Sequence, residues 1–118
     1  MVTRKRDGRP QTSPVTVGVD DERIVVSSRE TAFKVRNLRR DPAATLCVFS
    51  DGFFGPWIQV DGGVDIVSLP EAMDGLVDYY RRISGEHPDW EDYRRAMIEQ
   101  RRVLIRVSVD AVGPTRRG

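Results

Sequence analysis

The chain has 118 residues, and its 19 basic and 18 acidic side chains leave a formal net charge of +1. That length suits one domain around a single core, and the near-neutral balance removes the electrostatic footprint of a nucleic-acid binder. No apolar run approaches the roughly 20 residues of a membrane helix, the opening residues lack a signal-peptide pattern, and one Cys with one His argues against an internal disulfide or a Cys/His zinc site within one subunit.

Val2 to Arg6 reads as the remainder of a strand, turned by Asp7-Gly8. The chain opens inside this strand, so either the strand is short or an upstream segment belongs to it. Gln11 to Val19 alternates, with Val15, Val17 and Val19 on one face, which predicts a second strand. Asp20-Asp21-Glu22 turns the chain into a third, Ile24 to Ser28. A helix follows, capped by Ser28 or Thr31, striped by Ala32, Val35 and Leu38 and stopped by Asp41-Pro42. Ala44 to Phe49 is an apolar strand of buried type, which places Cys47 in the core. Asp51 to Pro56 is a Gly-rich aromatic loop, and Trp57 to Leu69 returns as strand with a kink expected at Gly62-Gly63.

Pro70 and Glu71 then open a helix whose Met73, Leu76, Val77, Tyr80 and Ile83 recur at helical spacing. Gly85 to Pro88 breaks it, and Asp89 caps another helix running to Met97 with a Trp90, Tyr93, Met97 stripe. Arg102 to Val112 alternates as the final strand, and Gly113 to Gly118 reads as a loose tail. Strands with helices inserted between them do not fit a doubly wound pattern. The expected class is mainly β, a six-stranded antiparallel Greek-key or split barrel with inserted α-helices, occupying residues 1–112. The single Cys fits a reducing cytoplasm.

Hydrolase chemistry finds no support, because nucleophile elbow, P-loop and HExxH motifs are all absent from the sequence. The passage Ser27 to Pro42 is the candidate site. A helix beginning presents unpaired N–H groups, Ser27, Ser28 and Thr31 add hydroxyls, and Lys34 stands on the first turn, a combination that suits phosphate. The same residues also read as a capped helix with a wet basic face. His87, before Pro88, reads as a loop-stabilising residue or an acid/base, and Trp90 and Tyr93 read as packing. Phe53 to Trp57 is an aromatic run on a loop, suited to an interface, a cleft lining or local packing.

Asp7 to Ser13 with its Gly-Arg-Pro-Gln turn, the block Lys34-Val35-Arg36-Asn37-Leu38-Arg39-Arg40-Asp41-Pro42, Trp57 to Gly62, Gly85 to Trp90, and Arg101 to Ile105 together resemble a known family. It is the coenzyme F420-dependent branch of the pyridoxamine 5'-phosphate oxidase-like (PPOX class), flavin/deazaflavin-binding split barrels. The resemblance implies a homodimer with cofactor sites at the interface and an F420-dependent oxidoreductase transferring hydride to or from an unsaturated small molecule. It implies that Lys34 holds the cofactor phosphate beside Ser27 and Ser28, that Gln11 lies near the ring, and that Trp57 lines the cleft. Arg36 and Asn37 join the candidate cofactor-binding residues. Ala32 stands where many relatives carry an arginine, so that contact falls to Arg29 or Arg36 or is lost; Pro14 replaces a common polar residue. FMN binding in the same fold, a non-catalytic F420 carrier and a nucleic-acid module are the alternatives. No metal, nucleic-acid partner or membrane span is expected.

Overall fold

The computed structural model describes residues 1–51 and 55–117. In chain order these form β1 (Val2–Arg4), β2 (Pro10–Thr12), β3 (Gly18–Asp20), β4 (Arg23–Arg29), α1 (Phe33–Arg40) and β5 (Ala43–Phe49). There follow β6 (Pro56–Val67), α2 (Met73–Ser84), α3 (Trp90–Glu99), β7 (Arg102–Val107) and β8 (Ala111–Arg117).

The long strand β6 joins two half-sheets. Its residues 57–63 pair with β5, and 64–67 pair with β7, all antiparallel. The order runs β2-β1-β5-β6-β7-β4-β3, with β8 also on β6. The kink expected at Gly62-Gly63 is this change of partner. A Cβ on Gly62 would stand 1.6 Å from the Ser108 carbonyl oxygen, so only glycine lets the β7–β8 connection cross there.

The antiparallel split-barrel class expected from the sequence is the class found, with eight strands among the described residues because two expected strands are each divided. The Gln11–Val19 run breaks after Thr12, near Pro14, which has no N–H for a ladder. Its first part pairs with β1 and its last with β4, in the other half of the sheet. The final strand breaks after Val107. The chain turns around β6, with Ser108 N–H donating to Gly63 O at 2.9 Å and Asp110 N–H to Asp61 O at 3.1 Å. The stretch expected as a tail continues as β8 to Arg117, paired with β6.

Burial explains the strand composition. Ile24, Val26, Ile105 and Val107 join Val35, Leu38, Leu46 and Val60 in the barrel core. Val25 and Leu104, on the opposite faces of β4 and β7, pack under Leu76, Val77, Tyr93 and Met97 of α2 and α3. Two buried faces require the continuous apolar runs seen in these central strands. β5 differs. Ala44 and Leu46 face inward, while Cys47 is exposed and Phe49 is 71% exposed, correcting the buried position expected for Cys47. An unbroken apolar run does not itself reveal that only one face is covered.

The helix ends follow two rules. Asp89 caps α3 as expected, accepting from Asp92 N–H at 3.1 Å. The cap of α1 is instead Ala32, which makes no side-chain bond, so neither Ser28 nor Thr31 caps it. The amides of Phe33 and Lys34 therefore stay open to another acceptor, while that of Val35 already donates to Ala32 O at 3.1 Å.

Candidate functional site

The chain enters α1 directly from the end of β4, beside the start of β7. The register sets Arg29 opposite Arg102, and like charges facing each other across a strand pair repel. Ser27, Ser28, Arg29, Thr31, Lys34 and Arg102 line a cleft of about 260 Å³ at this point. Among the described residues none of Lys34, Arg29 and Arg102 forms an ion pair. Arg102 is steadied by donating from Nε to Gln100 Oε1 at 2.9 Å.

Burial and like charge act together on two of these cations. Burial, and then the charge of Arg102, pull the Lys34 pKa below the ordinary lysine value. Burial and then Arg29 pull Arg102 down as well. Both shifts come first from burial and only then from a neighbouring like charge. Ser28 is buried and donates its hydroxyl to Arg29 O at 3.4 Å, and Ser27 is half-buried on the opposite face of the strand.

Ser27 and Arg102 also line a second cleft, of about 450 Å³, walled by Tyr79, Tyr80, His87, Tyr93 and Met97. Tyr80, His87, Trp90 and Tyr93 form a four-ring cluster with centroids 5.0 to 5.8 Å apart. His87 Nδ1 accepts the Asp89 N–H at 2.9 Å, which is the loop-stabilising role. The Tyr93 hydroxyl donates to Leu76 O at 2.7 Å and ties α3 to α2. This cluster is packing, and on one side it is also cleft wall.

The expected site residues therefore divide. Lys34, Ser27 and Ser28 come together in this cleft, and Arg29 lines it as well. Arg36 is exposed, with its guanidinium 6.0 Å from the Phe33 ring centroid. Asn37 is only 8% exposed and points to β1, donating to Thr3 Oγ1 at 3.1 Å while its Oδ1 accepts from Arg40 at 3.2 Å. Gln11 accepts from the same Thr3 hydroxyl at 3.2 Å and donates to Thr12 O at 3.0 Å. Trp57 is half-buried on β6 opposite Phe49. Neither Gln11 nor Trp57 lines the Lys34 cleft. Phe53 and Phe54 of the expected aromatic run lie outside the described residues. Sequence reasoning missed Arg102 as a site residue, although it stands in the Arg101 to Ile105 block and opens a strand.

A family model described as pyridoxamine 5'-phosphate oxidase matches residues 1–116. A conserved hypothetical protein of Mycobacterium tuberculosis is 25% identical, over 94% of this chain and 71% of its own, with a TM-score of 0.72. A solved F420 reductase is 24% identical over 95% of this chain and 85% of its own, at a TM-score of 0.71. A pyridoxamine 5'-phosphate oxidase-related, FMN-binding protein of Nostoc punctiforme is 13% identical over 94% of this chain and 69% of its own, at 0.68.

Proposed function

Since the chain belongs to the pyridoxamine 5'-phosphate oxidase family, we propose that it is an F420-dependent oxidoreductase gripping the cofactor phosphate in the Lys34 cleft. One observation carries the reading: Lys34, Arg29 and Arg102 line a single cleft with no acid paired to them among the described residues. Uncompensated cations cost folding free energy, and a site that keeps them is built for an anion. The residues fit a phosphate monoester or diester. Lys34 and Arg102 supply charge, Ser27 a hydroxyl, and the uncapped start of α1 open amides. The ring-lined cleft beyond Ser27 leads away from the grip. A bound deazaflavin would supply the hydride chemistry, while the protein holds, orients and shields it. An unsaturated small molecule is the proposed hydride partner, and the reducing cytoplasm the proposed setting.

FMN is the second reading, supported by the FMN-binding protein of the same fold. Both cofactors carry a ribityl phosphate, so the same grip serves either. We also propose a homodimer formed through the outer face of β5 and β6. Phe49 and Cys47 are exposed there beside Trp57, and apolar groups on one open sheet face suit a second copy. In that dimer Trp57 would take the cleft-lining role implied by the resemblance.

Fluorescence titration with F420 and with FMN tests the reading, followed by turnover of the loaded protein with unsaturated acceptors. Tighter FMN binding overturns the choice of F420, and failure of both overturns the site. Tight F420 binding with no turnover on any acceptor makes the protein a carrier.

A further inference from the structure

A cleft of about 710 Å³ opens between the segment entering α2, the end of α3 and the start of β7, larger than the Lys34 cleft and the ring-lined cleft beside it. Leu69, Pro70, Met73, Ile98 and Val103 make its walls apolar, and Ile98 stands 61% exposed. An apolar hollow of this size is the usual setting of a small-molecule site, and a few polar groups then decide what enters.

Those polar groups are unbalanced in one direction. Glu30 lines the cleft but is neutralised by Arg39, whose Nε and one terminal nitrogen each donate to it at 2.8 Å. Arg39 also donates to Ser68 Oγ at 3.1 Å, which closes that corner. Arg101 and Arg102 remain, and neither pairs with an acid among the described residues. Arg101 is also in an unusual place. It follows α3 with φ at 52°, a conformation in which glycine carries no steric penalty and other residues do. Its carbonyl accepts the Glu30 N–H at 2.9 Å, which fixes its backbone at the cleft.

We infer that this cleft binds an organic monoanion with an apolar body, an aryl or branched alkyl carboxylate or sulfonate. The anionic head pairs with Arg101, and the body lies against Met73 and Ile98. Charge complementarity selects the head, since Arg101 brings to this cleft a guanidinium with no acid partner among the described residues. The apolar walls select the body, since inorganic phosphate has nothing to bury there. Arg102 lines both clefts, but Met73, Ile98 and Arg101, which carry the head and body contacts, are absent from the Lys34 cleft, so the inference stands apart from the cofactor reading.

The test uses the full chain with no flavin or deazaflavin added. The probe is 8-anilinonaphthalene-1-sulfonate, compared with its uncharged analogue N-phenyl-1-naphthylamine. The sulfonate should bind saturably, and the uncharged compound about tenfold more weakly, the scale of one charge-assisted hydrogen bond. Arg101→Gly should weaken the sulfonate by a similar factor while melting no lower than the parent, because glycine relieves the left-handed backbone. Ile98→Asp should weaken it too, and Phe49→Ser, on the far sheet face, should not. Equal binding of the two probes overturns the inference. So does parental sulfonate affinity in both folded Arg101→Gly and Ile98→Asp, or loss of binding in Phe49→Ser.

Discussion

Replacing Lys34 by methionine separates what the cationic cleft costs the folded chain from what it contributes to a ligand. Methionine keeps an unbranched apolar stem and removes the charge. In the folded protein burial, and then Arg102, lower the Lys34 pKa, so the lysinium is less favourable there than in the unfolded chain. The group remains largely solvated, which screens the repulsion, and its relief stabilises the fold by no more than about 0.5 kcal/mol. A bound phosphate reverses the balance. Losing one charge-assisted hydrogen bond to it costs about 1.5–3 kcal/mol, or roughly 10- to 150-fold in Kd. Lys34→Met should therefore melt at or slightly above the parent temperature while binding F420 that much more weakly. The pH dependence has a defined sign. As pH rises through the lowered folded pKa, the folded chain sheds this proton before the unfolded chain does, so stability rises towards the ordinary lysine pKa. Phosphate affinity falls over the same interval, and Lys34→Met lacks both limbs. Thermal melts and fluorescence titrations across alkaline pH measure these effects. A variant that melts several degrees lower and binds F420 as tightly as the parent would refute the reasoning, leaving Lys34 a structural residue.

Gly62→Ala should destabilise the fold by at least about 3 kcal/mol in chemical denaturation, since its Cβ meets the Ser108 carbonyl. Gly75→Ala should cost about 1–3 kcal/mol, less than Gly62→Ala, because its Cβ meets a side chain rather than backbone, the packed Leu104 Cδ2 at 2.6 Å, and alanine's helix preference offsets part of the strain. Asn37→Ala should cost about 1–3 kcal/mol of stability, by breaking the buried bond to Thr3; F420 affinity, measured where the variant is folded, should not change. Phe49→Asp should convert the proposed dimer to monomer in light scattering, because a charge cannot be buried unpaired at its centre.

The residues that made elements legible in the sequence act locally. Asp7-Gly8 turns β1 into β2, with Gly8 at φ 88°. Asp89 caps α3 by bonding an amide three residues on, and Met73, Leu76 and Val77 mark the buried side of α2 by spacing alone. Lys34 at the start of α1 was legible for the same reason, since charge, hydroxyls and a helix end lie within one short passage.

Other features depended on partners distant in the chain. The alternation of Gln11–Val19 carries no mark that its ends join different half-sheets, and the valines after Arg102 do not show that β7 must leave β6 at Ser108. Arg102 entered the site only because β4 and β7 pair in a register that sets it against Arg29, more than seventy residues earlier. Composition and local pattern determined the class of fold and one half of the cationic cleft. Strand register brought in the other half, because only pairing between strands distant in the chain sets Arg102 beside Arg29 at one cleft.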